Sequence, residues 1–162
     1  MAVYKKHQLY VMTKAKDLAK YIITITEKSP KKFRYTLVAR LQNHILDIIE
    51  NLHLANSYER GSRARIELQE NARRKLILLD YIAQLAMEQE CILFKQYEQI
   101  SKQQAETLMY LNKWATSDKK IAGNQNEVNE DIEETFAGQT GLEEVESGKI
   151  DWEKVDNLTD IM

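Results

Sequence analysis

Residues 62–120 contain no glycine and no proline, although they make up more than a third of the chain. An all-β domain would need turn residues about every 8–12 positions, and glycine and proline are the strongest turn signals. This long uninterrupted segment therefore excludes an all-β fold. Only five glycines and one proline occur among all 162 residues, so we expect an all-α protein with one sizeable core.

Apolar residues recur at steps of three and four positions, the period of one helix face, along four successive stretches. We predict helix one over about residues 5–27, helix two from about residue 30 to just before residue 60, helix three from about residue 63 to about residue 90, and helix four over about residues 94–117. Because the links are short, successive helices are expected to lie antiparallel. The sequence thus predicts an up-down-up-down four-helix bundle with an acidic C-terminal extension.

Short signals mark the predicted helix ends. Ser29-Pro30 is typical of an N-cap followed by proline at the first helical position of helix two. Gly61 is expected to take the left-handed conformation after helix two, and Ser62 to cap helix three. A capping box of Ser101 and Gln104 predicts, as the alternative, a later start for helix four.

Residues 76–87 of helix three are apolar on nearly every side of the helix. A surface helix of a monomer carries only one apolar stripe. We therefore expect one side of this helix to face another subunit, which would make the chain a homo-oligomer. The alternative is a central helix that is covered by neighbouring helices of its own chain.

The small net charge of −2 is the sum of two unlike segments. Residues 1–120 hold 21 Lys and Arg against 13 Asp and Glu, a net charge of +8, whereas residues 121–162 hold 2 against 12, a net charge of −10. Such asymmetry is typical of a basic binding body joined to an acidic tail. We predict two regions, a basic bundle over residues 1–120 and an acidic tail or docking segment over residues 121–162.

The acidic tail contains one short amphipathic pattern, formed by Trp152, Val155 and Leu158. These positions fall on one face of a short helix, which is a common way to dock on a partner's groove. Two alternatives stay open. The acidic residues would fold back on the basic body and compete with RNA, or the tail would be disordered and only increase solubility.

The most enzyme-like pattern is Asp47-x-x-Glu50-x-x-His53 in helix two. Di-iron bundles need two Glu-x-x-His motifs and two further inward-facing glutamates, but this motif occurs once and lies between the core positions Ile48 and Leu52. We expect a solvated polar face and no metal site. A metal-dependent bundle enzyme is the alternative, and it predicts bound iron or manganese.

Other routes to catalysis have little support in the sequence. Cys91 is the single cysteine, so no internal disulfide is expected and the thiol is interpreted as a buried core residue. No glycine-rich phosphate loop occurs, and no serine or cysteine has an evident base. We expect no catalytic residue, no cofactor and no enzyme activity. No apolar run approaches the ~18 residues of a membrane span, which predicts a soluble cytoplasmic protein.

Lysines and arginines cluster at the starts of two predicted helices. The clusters are Lys28, Lys31, Lys32 and Arg34 at helix two, and Arg60, Arg63, Arg65, Arg73, Arg74 and Lys75 at helix three. Helix one adds Lys16 and Lys20 on one side. These residues suit sequence-independent phosphate contacts, although each cluster alone is also compatible with a solvated helix face. Aromatic residues are few among them, so base reading is not indicated; Tyr35, Tyr58 and Tyr81 are the candidate stacking partners.

The order and spacing of these features resemble one four-helix-bundle family. The matching residues are Leu9-Tyr10, Lys28-Ser29-Pro30-Lys31, Arg34, Leu37, Arg40, Ala55-Asn56, Arg63 to Leu68, Tyr97 and Leu111 to Trp114. The family includes the accessory variability determinant of diversity-generating retroelements and four-helix proteins encoded in bacterial ribosomal-RNA intervening sequences. The resemblance covers about residues 5–118 and leaves out the acidic tail.

The resemblance implies a non-catalytic accessory protein that assembles into a basic homopentamer. Its expected partners are a reverse transcriptase, of a diversity-generating retroelement or a similar mobile element, and the template RNA or RNA/DNA hybrid. Arg34 and Arg40 are the basic residues that match the family by position. The alternative function is an oligomeric protein–protein adaptor whose basic faces contact an acidic protein and not nucleic acid.

Overall fold

The computed structural model describes the backbone of residues 2–139 and the side chains of residues 10–135 and 137. Its four α-helices are α1 (Ala2–Thr26), α2 (Ala39–Ser57), α3 (Arg63–Glu88) and α4 (Phe94–Gln139). Two short turns of helix precede α2, a 3-10 turn over Lys31–Phe33 and a π-helical turn over Arg34–Val38. The described chain is all-α, as the sequence predicts, and its helices form an up-down-up-down four-helix bundle.

Each helix contributes one apolar stripe to a common core. Residues that are wholly inaccessible to solvent occur at the predicted three- and four-residue steps, and they are Val11, Leu18, Ile22, Leu41, Ile45, Ile48, Leu52, Leu76, Leu79, Ile100, Leu111 and Trp114. Burial of this much aliphatic and aromatic surface is the main force that holds such a bundle together. Cys91 is also buried, as the sequence predicts.

Polar contacts join each pair of neighbouring helices. Gln42 on α2 donates to the hydroxyl of Thr26 on α1 at 2.9 Å, and Lys14 on α1 pairs with Glu106 on α4 at 3.0 Å. Between α3 and α4, the amide nitrogen of Gln104 donates to the carbonyl of Leu76 at 2.9 Å. These contacts connect α1 with both α2 and α4, as expected for a closed bundle of antiparallel helices.

The turn between α2 and α3 forms as the sequence predicts. Gly61 has a φ of 77°, in the left-handed region that glycine occupies without steric cost. The hydroxyl of Ser62 accepts a hydrogen bond from the backbone N–H of Arg65 at 3.3 Å, which is the N-cap contact. The two helices that this turn connects therefore lie side by side.

The start of the second helical region differs from the prediction. Pro30 is the N-cap, with an extended backbone (φ −54°, ψ 136°), and Ser29 makes no capping hydrogen bond. Proline's fixed φ suits this extended position, and the carbonyl of Pro30 accepts from the N–H of Phe33 at 3.0 Å. The Ser29 hydroxyl instead lies beside the Cys91 thiol.

Helix α4 begins where the main prediction placed it and ends much later. The side-chain oxygen of Gln96 accepts from the N–H of Leu93 at 2.8 Å, which caps the first turn, so the alternative start at Ser101 is wrong. The predicted end near residue 117 is also wrong, because the helix continues to Gln139 through Gly123. Residues 118–139 have no regular apolar repeat that would predict a helix with a buried face. Their Glu, Gln and Ala residues nevertheless have high helix propensity, so the helix continues without one.

The structure divides into two units between Asn126 and Glu127. The first contains the bundle. The described part of the second is the helical backbone of residues 127–139, whose described side chains are exposed. Residues 140–162, with the predicted docking residues Trp152, Val155 and Leu158, lie outside the described part of the chain.

Candidate nucleic-acid interface

Four exposed cations lie between the end of α1 and the first residue of the π-helical turn, and we call them the basic corner: Lys28, Lys31, Lys32 and Arg34. Within residues 10–135, none of the four forms an ion pair. The ammonium group of Lys32 lies 4.8 Å from the centre of the Phe33 ring. Cations without a carboxylate partner keep their full charge available for an external anion.

Apolar neighbours fix the direction of these side chains. Phe33 and Leu37 pack against the hydrophobic core, and Val38 is buried. Because these three residues face inward, the polar residues between them face solvent. Tyr35 is the most exposed large hydrophobic residue among those that the structure describes, since 87% of its side chain is exposed. It lies in the π-helical turn, a geometry that is rare and frequently occurs at functional sites.

A surface cleft of about 580 Å³ opens beside the basic corner. The end of α1, the link and the first turns of the next helix form its walls. Lys31, Arg34 and Tyr35 line it together with the amides of Gln42 and Asn43. Among the described residues that line this cleft, Glu27 is the one acidic residue. The cleft thus combines cations, hydrogen-bonding amides and an aromatic ring.

A second cleft, the α3–α4 groove, measures about 730 Å³ and is lined by Arg73 and Arg74 of the predicted helix-three cluster and by Lys119 of α4. These cations are paired with carboxylates. Glu70 lies 2.8 Å from Arg73, 3.9 Å from Arg74 and 4.0 Å from Lys119. The hydrogen bond from Arg73 holds the pKa of the Glu70 carboxyl below its ordinary value. Because these cations share the Glu70 carboxylate, they are less available to an external phosphate than the cations of the basic corner.

The other cations near this groove also have partners. Arg63 pairs with Glu67 at 2.9 Å, and Lys75 on α3 pairs with Asp47 on α2 at 3.4 Å. Arg40 and Arg60 are exposed. Exposed pairs of this kind are weak, so a polyanion can compete for their cations at small cost. Arg63 and Lys75 thus remain at the surface, where they are less available to an external anion than the cations of the basic corner.

Arg65 does not lie at the surface, and its predicted contact with nucleic acid is withdrawn. Only 3% of its side chain is exposed. Its Nε donates to Asp118 at 3.0 Å, its guanidinium lies over the Trp114 ring, and one of its terminal nitrogens donates to the carbonyl of Tyr58. Arg65 was predicted to contact nucleic acid from its charge alone. It lies four and seven positions before Gln69 and Ala72 on the buried stripe of α3, and this spacing was the sequence signal that it faces the core.

The predicted polar face on α2 is not a cluster of metal ligands. Asp47 pairs with Lys75, whereas Glu50 and His53 are exposed. Among the described residues, no three His, Cys, Asp or Glu side chains converge in a way that would hold a metal ion. The sequence analysis missed His44, which is buried and donates from Nε2 to the carbonyl of Lys75 at 2.8 Å.

One side of α3 exposes a continuous apolar surface, the apolar face of α3, formed by Ile77, Leu78, Tyr81 and Leu85. Between 43% and 69% of each of these side chains is exposed. They alternate with the buried residues Leu76, Leu79, Ala83 and Ala86 of the same helix. Neighbouring helices of the chain therefore cover one side of this segment and leave the other uncovered, which is the feature that the oligomer prediction requires.

Comparison with models of known protein families and with curated protein sequences finds no match to this chain. The four-helix architecture is supported by the structure, and the resemblance to one particular family is not supported by these comparisons. Across the part of the chain that the structure describes, every helix is too short or too polar to cross a lipid bilayer.

Proposed function

We propose that this protein is a non-catalytic nucleic-acid-binding protein that positions RNA, or an RNA/DNA hybrid, for a reverse transcriptase. The observation that supports nucleic-acid binding is the basic corner. Its exposed cations have no carboxylate partner among residues 10–135, and the exposed ring of Tyr35 lies next to them. Phosphate contacts of this kind give sequence-independent affinity through counterion release.

The reverse transcriptase as partner rests on the sequence resemblance, with Arg34 and Arg40 as the matching basic residues. Both are exposed on the same helical segment that follows α1. An accessory protein that binds through charge and aromatic contact needs no catalytic group. This role is therefore compatible with a cleft whose charged, amide and aromatic residues are Glu27, Lys31, Arg34, Gln42, Asn43 and Tyr35.

Salt dependence tests the nucleic-acid part of this proposal. We would measure binding of a labelled single-stranded RNA to the full chain by fluorescence anisotropy over a range of salt concentrations. Each phosphate contact contributes about 0.7 to the slope of log affinity against log salt for single strands. The triple variant Lys31→Glu, Lys32→Glu, Arg34→Glu should bind at least tenfold more weakly and lower the slope by about 2.

The matched control reverses three exposed lysines on α4, as Lys102→Glu, Lys113→Glu and Lys120→Glu. It changes the net charge by the same amount and should affect the slope much less. Equal effects of the two triple variants would mean that only total charge matters. A wild-type chain without affinity and without a salt slope would refute nucleic-acid binding.

The second candidate function is an oligomeric protein–protein adaptor, and the apolar face of α3 favours it. Soluble monomers rarely leave a large contiguous apolar patch exposed, so such a surface is typical of an interface. A homo-oligomer is compatible with both functions; a pentamer is implied by the resemblance alone. Capture of partners before and after nuclease treatment separates the functions, because only partners held through nucleic acid are lost.

A further inference from the structure

We infer that the cleft beside the basic corner holds an unpaired nucleotide, with its base stacked on Tyr35 and its phosphate against Lys31 and Arg34. This inference rests on the proposed function and names its substrate class, single-stranded nucleic acid. It goes beyond electrostatic binding, because charge alone attracts duplexes and single strands alike. The cleft adds the exposed ring of Tyr35, on which only an unpaired base can stack.

The position of Tyr35 carries the argument. Its ring is 87% exposed, whereas the apolar residues on either side of it in the sequence, Phe33 and Leu37, pack against the core. The fold therefore gains little from this ring. A base stacks on an exposed aromatic ring whatever its identity, because every base has a π-face.

The walls of the cleft suit the rest of a nucleotide. Lys31 and Arg34 precede Tyr35 by four positions and one position and line the same cleft, so their charges are available to the phosphate of a stacked nucleotide. Asn43 is exposed, and the Gln42 amide donates to Thr26 at 2.9 Å while lining the cleft. These amides offer hydrogen-bonding groups to the edge of a base.

Glu27 is the one described wall residue with a negative charge. It is exposed at the end of α1 and is outnumbered by the two cations of the cleft. A carboxylate accepts hydrogen bonds from the amino groups of bases, as it does from cytosine. Its presence is thus consistent with a base in the cleft as well as a phosphate beside the cations.

A duplex cannot use this arrangement. Its bases are paired and stacked on each other, and unstacking one costs a few kcal/mol. An unpaired nucleotide reaches the Tyr35 ring without that cost. We therefore expect the cleft to distinguish single strands from duplexes even though the basic corner attracts both.

The experiment compares Tyr35→Ala and Tyr35→Phe in the full chain. We would measure binding of a short single-stranded RNA, the same sequence as single-stranded DNA, and both duplexes over a range of salt concentrations. Tyr35→Ala should weaken single-strand binding about tenfold, the loss of one stacked base, and leave duplex binding and the salt slope unchanged. Tyr35→Phe keeps the ring and should bind like wild type.

Phe94→Ala is the matched control, since it removes an aromatic side chain that is 59% exposed at the start of α4. A fluorescent adenine analogue placed in the single strand gives a direct reading, because its emission falls on stacking. That decrease in emission should disappear in Tyr35→Ala and persist in Phe94→Ala. Thermal unfolding verifies that both variants remain folded.

Loss of affinity for either single strand in Tyr35→Ala supports the inference and identifies the strand that the cleft takes. Unchanged single-strand binding, or an equal loss with duplexes, would overturn it while leaving electrostatic binding intact. A wild-type chain that binds none of the four nucleic acids would overturn the proposed function itself, and the inference with it.

Discussion

Asp118 on α4 accepts a hydrogen bond from Nε of Arg65 on α3 at 3.0 Å, and both side chains are buried. The same carboxylate accepts from the Gln69 amide at 2.7 Å and from the backbone N–H of Gly61 at 3.0 Å. One aspartate thus joins α4, α3 and the α2–α3 turn. Its negative charge is compensated inside the protein, where an uncompensated charge would be costly.

Replacement of this aspartate should destabilise the bundle strongly. Asp118→Ala removes the carboxylate that compensates the charge of the buried Arg65 guanidinium, and we expect a loss of about 3–5 kcal/mol in the free energy of unfolding. Urea unfolding followed by circular dichroism measures this loss. Glu106→Ala is the control, because it breaks the solvent-accessible pair with Lys14 and should cost far less. Similar losses in the two variants would contradict the role of Asp118.

Two glycines should respond to alanine in opposite directions. A Cβ at Gly61 would lie 2.7 Å from Cγ2 of Ile121, and its φ of 77° disfavours any side chain, so Gly61→Ala should destabilise by at least about 1–2 kcal/mol. A Cβ at Gly123 would meet nothing within 4 Å, and Gly123→Ala should stabilise α4 by up to about 1 kcal/mol. Thermal unfolding should show a lower melting temperature for Gly61→Ala and a higher one for Gly123→Ala. A shift in the same direction for both variants would contradict this prediction.

Glu90 occupies the left-handed position that closes α3, with a φ of 62°. The N–H of Cys91 bonds to the carbonyl of Ala86 at 2.8 Å, and the N–H of Glu90 bonds to that of Met87 at 3.0 Å, which is the Schellman pattern. Glycine is preferred there, so Glu90→Gly should stabilise by about 1 kcal/mol. Arg74→Gly, at an exposed position in the middle of α3, should destabilise by about as much. Denaturant unfolding tests both, and destabilisation by Glu90→Gly would refute the assignment.

His44 should make stability depend on pH. Burial lowers the pKa of its imidazole below 6.5 and outweighs the hydrogen bond to the Lys75 carbonyl, which raises it; the charges of Lys75 and Arg40 lower the pKa further, against Asp47. Below about pH 6.5 the unfolded chain binds a proton at His44 that the folded protein does not yet bind. The contribution of neutral His44 to the free energy of unfolding is therefore complete above that pH and is lost as pH falls through the folded pKa. His44→Gln should reduce the decrease in the free energy of unfolding as pH falls, and urea unfolding across this pH range measures that decrease. The exposed His53→Gln is the control, and an equal change in both variants would contradict the prediction.

The apolar face of α3 should mediate self-association. Tyr81→Glu places a charge in the middle of this face, on a side chain that is 69% exposed and dispensable for the core. We expect wild type to be oligomeric and this variant to have a smaller mass by light scattering after size-exclusion chromatography. Leu54→Glu, an exposed apolar position on α2, should keep the wild-type mass. A monomeric wild type would refute the oligomer.

The sequence predicted the parts of the fold that follow from apolar periodicity and turn chemistry. The four buried stripes, the left-handed Gly61 and the Ser62 cap all occur where they were expected. These features are local, because spacing along one helix determines which side can be buried. The same reasoning failed for the end of α4, since an exposed polar helix has no apolar stripe to mark its length.

The site was less predictable because charge does not reveal exposure. Arg65 and Arg63 are two positions apart in one sequence cluster, yet Arg65 is buried against Asp118 and Arg63 is exposed. The partner of Arg65 lies 53 residues away, so only the tertiary structure identifies it. Tyr35 was a candidate for stacking from the sequence, but its degree of exposure depends on the π-helical turn.

That turn has a consequence for how this protein can change over evolutionary time. A π-helical turn holds one residue more than an α-helical turn would, and each residue rotates the chain by about 100°. Deletion of one residue within Arg34–Val38 would convert the turn to α-helix and leave the core positions of α2 in place. It would, however, rotate Tyr35 and Arg34 relative to the bundle. Insertion and deletion at this single point can therefore redirect the binding surface without rebuilding the scaffold that carries it.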